Sequence, residues 1–280
     1  MNARQPCGDL YARTGESALP IAGACGVTRR QERGWTKRLR QMRHLLLDDA
    51  PPAKLAARAK WTYWRPEAEG VVELGTLHGR DVGLPTHFHD EHQITFVLAG
   101  RRRFVMGDGI VDLAAGQGAL IPAGVPHSSV AEPNGVVCLN AYVPAGAYAV
   151  TAMLAEIARL RRSREISAHE FAAVIRAHRE TDGLLAHPAP LHDHGRETVG
   201  TIAARMGMSR EGFSRMFSRR SGMPPHAFQL ASRLNHARRL LRAGDTIAAV
   251  AADTGFTDQS HFGRWFRRLF GVTPGRYRLG

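Results

Sequence analysis

The chain has 280 residues, 44% hydrophobic and 22% charged, proportions that exclude a wholly disordered, collagenous or coiled-coil polypeptide and predict a packed one with more than one core. No run reaches the roughly 18 apolar residues of a bilayer-spanning helix, so integral membrane roles are set aside. The formal net charge of +13 favours a polyanionic partner, of which nucleic acid is the commonest.

The charge is unevenly spread. Residues 1–60 carry 12 basic and 5 acidic side chains, 61–150 carry 5 and 9, and 151–280 carry 21 and 11. An acidic middle beside a basic C-terminal third predicts different partners for the two parts. Three cysteines, Cys7, Cys25 and Cys138, are odd in number and lack metal-finger spacing, so neither a disulfide framework nor a structural zinc site is implied and a cytoplasmic location is expected. The small apolar run from Ala18 to Val27 is broken by Pro20 and is too short for a targeting segment.

In chain order, residues 1–60 show no sustained period beyond one short helix from Trp35 to Leu47, and read as a basic arm rather than a domain. From 61 to 145 the pattern turns to short β-rich runs: Val71 to Leu77, Gln93 to Leu98, Arg103 to Met106, Ile110 to Leu113, Ala119 to Ile121 and Val136 to Val143. Gly107-Asp108-Gly109 marks a hairpin and Pro122-Ala123-Gly124 a tight corner. A small barrel or sandwich is expected. Residues 146–194 follow as linker or dimerisation helices. One helix is predicted from Ala147 to Arg162, with Val150, Met153, Leu154 and Ile157 on one face, and another from Ala168 to Leu185. That face packs against its own domain or forms a dimer seam. His187 to Gly195 reads as an exposed connection.

Residues 195–280 contain an internal duplication. Ile202-Ala203-Ala204-Arg205-Met206-Gly207-Met208-Ser209 aligns with Val250-Ala251-Ala252-Asp253-Thr254-Gly255-Phe256-Thr257 at an offset of 48, and Phe213, Phe217, Gly222 and Pro225 align with Phe262, Phe266, Gly271 and Pro274 at 49. Each copy reads as helix, glycine turn, helix, with Ser209 or Thr257 at the N-cap and Gly222 or Gly271 at the end. The first helix of each buries Val199, Ile202, Ala203 and Met206, or Ile247, Val250, Ala251 and Thr254. The second helix buries Phe213, Met216 and Phe217, or Phe262, Trp265, Phe266, Leu269 and Phe270. Its outer face carries Arg210, Glu211, Ser214, Arg215, Ser218 and Arg219, or Asp258, Gln259, Ser260, Gly263, Arg264, Arg267 and Arg268. A helix-turn-helix presents such a face to the major groove, where arginine pairs with guanine and glutamine with adenine. Pro225 to Ala243 forms the connecting helix, with Leu230, Ala231, Leu234, Ala237 and Leu241 inward and Arg233, Arg238, Arg239 and Arg242 elsewhere. Gly244 and Asp245 stop it and cap the next helix. Its 19 residues span about 28 Å, near one turn of B-DNA, so both units reach successive grooves.

The run Gly255-Phe256-Thr257-Asp258-Gln259-Ser260-His261-Phe262, continuing through Arg264, Phe266, Arg267 and Phe270 to Gly271-Val272-Thr273-Pro274 and Tyr277-Arg278, resembles the signature of the AraC/XylS family of bacterial transcription regulators. The resemblance implies base-reading positions at Glu211, Ser214 and Arg215, and at Gln259, Ser260 and Arg264; Arg210, Arg219 and Arg268 share the same outer faces and are expected to meet DNA. His87-Phe88-His89, Gln93 and Gly100, then Gly116, Pro122, Gly124 and His127, resemble the two cupin motifs. The fold class implied is α+β multidomain: an N-terminal cupin-like β-barrel followed by an all-α domain with two helix-turn-helix units.

In metal-binding cupins these motifs supply three histidines and a glutamate. Here Gln93 stands at the glutamate position, so no metal or other cofactor is expected, although His87, His89 and His127 together suit zinc, nickel or ferrous iron. The family implies an effector pocket instead, lined by His87, His89, Gln93, Phe88, Phe96, Phe104, His127 and Tyr142. The expected function is a non-enzymatic regulator, more an activator than a repressor, that binds double-stranded promoter DNA and a small-molecule effector, with RNA polymerase contact and a homodimer left open and no membrane partner. Two alternatives remain: a metal-dependent cupin enzyme carrying a DNA-binding domain, and a β-domain that is only a dimerisation scaffold.

Overall fold

The structure, a computed structural model, describes residues 59–66, 70–164, 166–180 and 197–280. Cys7, Cys25, the helix expected from Trp35 to Leu47 and the connection from His187 to Gly195 lie outside the described residues. No described helix is long and apolar enough to cross a membrane.

Among the described residues, eight antiparallel strands form one curled sheet: β1 (Lys60–Trp64), β2 (Glu73–Gly79), β3 (Leu84–His87), β4 (His92–Met106), β5 (Gly109–Ala114), β6 (Gly118–Ile121), β7 (His127–Ser129) and β8 (Val136–Val143). The path runs β1-β2-β8-β4-β7-β3, with β5 and β6 also paired to β4. β4 is one strand of 15 residues, not the two predicted. Its first part pairs with β8 and β6 and its second with β5 and β7, and a register shift between Val97 and Ala99 interrupts the alternation. Gly100 allows that bend: its φ is +76°, and a Cβ there would stand 2.2 Å from the Gly135 carbonyl oxygen. Three strands were not predicted. β1 sits at the end of the basic arm, and β3 and β7 have only four and three residues, β3 with a proline.

β8 is buried at all eight positions, because both faces of the sheet are covered. The outer face packs on α1 (Val150–Ser163) and α2 (Ala168–Ala177). Ile94, Phe96, Leu139 and Ala141 meet Met153, Leu154, Ile157, Phe171 and Ile175 there. The apolar stripe of α1 thus packs on its own chain's sheet. α2 begins with a capping box in which Ser167 and Glu170 satisfy one another's backbone N–H groups.

The C-terminal helices are α3 (Val199–Arg205), α4 (Arg210–Ser221), α5 (Pro225–Ala243), α6 (Ile247–Asp253), α7 (Gln259–Phe270) and α8 (Pro274–Arg278). The duplication is realised as α3-turn-α4 and α6-turn-α7. Ser209 caps α4, whereas α7 is capped by Asp258 rather than Thr257 and α6 by Thr246 rather than Asp245. In both corrected cases the hydroxyl or carboxylate one residue later reaches the third backbone N–H of the helix. Met206 is 53% exposed rather than inward, since it is the C-cap of a helix of only seven residues. The inner side of the sheet and the core of the helical domain form one continuous apolar cluster, from Trp61, Phe104 and Tyr142 to Leu234, Phe266, Phe270 and Tyr277.

Candidate DNA interface and barrel site

The second helix of each unit is fixed by its aromatic side. Phe213 and Phe217 pack with tilted rings in α4, and Phe262, Phe266 and Phe270 form a ladder in α7. The opposite sides carry the candidate DNA contacts. Arg210, Glu211, Arg215 and Arg219 of α4 and Gln259, Ser260, Arg264 and Arg268 of α7 are exposed, and Ser214 is half-buried. Arg268 lies over the Trp265 ring, which Trp265 in turn anchors by donating to His261 Nε2 at 3.0 Å. Both arginine-bearing faces therefore stand free on short helices locked from behind.

The barrel cavity is lined by His87, His89, Gln93, Phe104, His127 and Tyr142 of the predicted set, joined by Trp61, Tyr63, Leu84, Arg102 and Ser129. Phe96 and Phe88 do not belong to it. Gln93 and Phe96 differ by three positions on one strand, so they face opposite sides of the sheet, and Phe96 packs under α1 and α2. By the same parity Phe88 points away from His87 and His89 and stacks on Phe228 of α5. Gln93 is held by its amide, which donates to Thr95 Oγ1 and Asn140 Oδ1. Glu91 and His92 serve elsewhere: Glu91 accepts from Arg242 at 2.5 Å, and His92 Nδ1 accepts from the Ala123 N–H.

His87, His89 and His127 converge, with ring centroids 4.4 to 5.2 Å apart. His87 Nδ1–H donates to the Pro85 carbonyl and His127 Nδ1–H to that of Val125, which leaves each Nε2 with its lone pair. Burial pushes all three imidazoles toward the neutral form, well below the usual histidine range for His87 and His89 and to about 4 for His127. The potential ligand atoms lie within 4.8 Å of one another, and His89 Nε2 and His127 Nε2 have no hydrogen-bond partner. Three neutral, partly orphaned imidazoles fit a borderline-soft divalent ion, which they would hold as nitrogen ligands.

The mouth of the barrel is closed by the helical domain. Arg238 of α5, 1% exposed, enters it and pairs with Glu73 of β2 at 2.6 Å. Its other nitrogens reach His89 Nδ1 at 3.1 Å and the Tyr277 hydroxyl at 3.3 Å, and that hydroxyl donates to Glu73. The guanidinium lies 4.4 Å from the Tyr142 ring centroid and 4.9 Å from that of Phe270. Burial opposes the charge on Arg238, but Glu73 and the surrounding tyrosines and Glu91 outweigh it and raise its pKa well above the arginine norm. Arg239 pairs with Asp90, and Asn235 donates to the Phe88 carbonyl at 2.9 Å. At the end of α7, Gly271 has φ +75°, and a Cβ there would stand 2.1 Å from the Trp61 ring. Glycine is needed twice over at that point, for the backbone and for the approach of the two domains.

The expectation that Arg238 faces away from the packed side is therefore wrong. Leu234, Arg238 and Leu241 follow a four-then-three spacing on one face of α5, a signal present in the sequence and overridden there by the residue's charge. Nothing local in β2 marks Glu73 as its partner.

Paired basic helix-turn-helix units behind a cupin-like β-domain are the layout of a transcription regulator with a DNA-binding part and a ligand-binding part. A family model described as a helix-turn-helix domain matches residues 202–280, and one described as an AraC-like ligand binding domain matches residues 69–191. The HTH-type transcriptional regulator MtrA of Neisseria gonorrhoeae is 37% identical over 81 residues, 29% of this chain and 27% of MtrA. The transcriptional activator NphR of a Rhodococcus species is 42% identical over 82 residues, 29% of this chain and 24% of NphR. The chain thus spans about a quarter of the length of these curated relatives. Among solved structures, unsaturated fatty acid bound ToxT of Vibrio cholerae covers 77% of this chain and 97% of its own, at 13% identity and a TM-score of 0.45. The chain belongs to the AraC/XylS family of transcription regulators.

Proposed function

We propose that the protein is a sequence-specific activator of promoters, controlled by an effector bound in the β-barrel. Residues 61–145 would form the effector domain, 146–194 the linking helices and 195–280 the DNA-binding domain. The observation that carries the reading is the pair of exposed faces, Arg210, Glu211, Ser214, Arg215 and Arg219 on α4 and Gln259, Ser260, Arg264 and Arg268 on α7, separated by a 19-residue helix. About 28 Å of helix sets the two readers near one duplex turn apart. Activation is supported by the names of NphR and of the virulence regulon transcriptional activator VirF of Yersinia enterocolitica. The barrel acts on DNA binding through the docked α5, because an effector that alters that contact has unequal affinity for the two domain arrangements. The protein acts in the cytoplasm, where promoter DNA is, and without catalysis.

Genome-wide mapping of bound DNA, followed by titration of the recovered site, tests this. Arg264→Ala is expected to weaken specific binding by about 1–3 kcal/mol and to relax preference at one base pair. Equal affinity for matched and mismatched sites in the unaltered protein overturns the reading.

A further inference from the structure

The three-histidine cluster and the arginine clasp share one imidazole. Arginine is always a donor, so the 3.1 Å contact from Arg238 Nη1 makes His89 Nδ1 an acceptor. The single proton of neutral His89 therefore resides on Nε2, the buried atom without a partner. A metal ion needs a ring nitrogen with a free lone pair, and while Arg238 is in place His89 has none to offer. His87 and His127 are already prepared, each with Nδ1–H bound to a backbone carbonyl and Nε2 free to ligate.

Charge acts in the same direction. A divalent ion at the cluster would sit beside a buried guanidinium with little screening water, and the two cations repel. Once Arg238 withdraws, the ion brings positive charge toward Glu73 in place of the charge that leaves. The donor set selects the class of ligand: three neutral imidazoles suit a borderline-soft divalent ion, and with the domains docked the cavity leaves room of about 10 Å³, enough for one water-sized body. The ligand atoms lie within 4.8 Å of one another. Nitrogens of a tetrahedral site stand about 3.3 Å apart, so small ring rotations close the set.

We propose that His87, His89 and His127 form a site for one divalent transition-metal ion of the zinc, nickel or ferrous class, and that its occupancy and the Arg238 clasp exclude one another, so that metal entry releases α5 from the barrel. This rests on the barrel being the effector domain and names the class of effector.

The test titrates cobalt(II) into the metal-free full-length chain, read by the visible absorption of tetrahedral cobalt, with zinc and nickel as competitors. Small-angle scattering gives the radius of gyration in parallel. One cobalt per chain is expected, with an increase in radius on binding. His127→Phe should take up no cobalt and stay compact. The isosteric pair E73Q/R238M, which removes the guanidinium beside His89 without stranding a charge, should bind at least tenfold more tightly than the unaltered chain and change its radius less on binding. Absence of stoichiometric uptake in E73Q/R238M overturns the site. Equal affinities with an unchanged radius overturn the coupling. If E73Q/R238M fails to fold, the unaltered chain decides: no uptake, or uptake at constant radius, overturns the proposal. Selection of DNA from a genomic library is run with and without cobalt. Recovery of specific DNA with negative cobalt results removes this inference alone, whereas no specific DNA under either condition removes the regulator reading itself.

Discussion

Replacing Glu73 with glutamine keeps the volume of the side chain and removes the charge that faces Arg238. The two groups are 2.6 Å apart and each 1% exposed. Unit charges about 4 Å apart at an effective dielectric near 20 attract by about 4 kcal/mol, and removing one member of a buried pair costs about 3–5 kcal/mol because the other is left uncompensated. Glu73 lies in β2 and Arg238 in α5, so the loss falls on docking of the two domains rather than on the fold of either. A double-mutant cycle of E73Q, R238M and the pair, followed by urea unfolding and by hydrogen exchange of the interface strands, should give a coupling of about 3 kcal/mol. The pair should be more stable than either single variant. A coupling below about 1 kcal/mol, the range of solvent-exposed ion pairs, would refute the claim that this contact holds the domains together.

Three further outcomes follow from particular side chains. Gly271→Ala should destabilise by more than the roughly 1 kcal/mol of left-handed strain, since its new methyl meets Trp61. Gly107→Ala, with φ +57° and nothing within 4 Å, should cost only the strain, and equal urea midpoints for the two would contradict this. For His127, a folded pKa near 4 against an ordinary 6.5 means that the unfolded chain binds the extra proton between those values. Stability is then full above about pH 6.5 and falls by about 3 kcal/mol as pH drops to 4; His127→Phe should flatten that part of the profile in thermal melts at stepped pH. Arg215→Ala should weaken DNA binding by about 1–3 kcal/mol at a position roughly one turn from the one lost with Arg264→Ala, as read by footprinting.

The helical domain was legible because its signals are local and repeated: aromatic spacing, capping hydroxyls and terminal glycines recur in both copies. The β-domain was legible in its long strands and in the shared face of His87 and His89, where a two-residue period suffices. Phe88 and Phe96 were misplaced because aromatic character outweighed that same period. β3 and β7 escaped because three or four residues hold too little pattern, and β4 was split because its bulge interrupts the alternation. The Arg238–Glu73 contact joins residues 165 positions apart. Sequence periodicity can place Arg238 on the inner face of α5, but only the docked domains reveal what waits there.

The helix that spaces the two helix-turn-helix units is also the one the barrel grips, through Asn235, Arg238, Arg239 and Arg242. A shift of this shared beam carries both units with it, and the second unit adds a direct contact of its own with the barrel, where the Tyr63 hydroxyl donates to the Phe270 carbonyl. Promoters that depend on the half-site of the second unit should consequently feel the barrel's state at least as strongly as those that depend on the first.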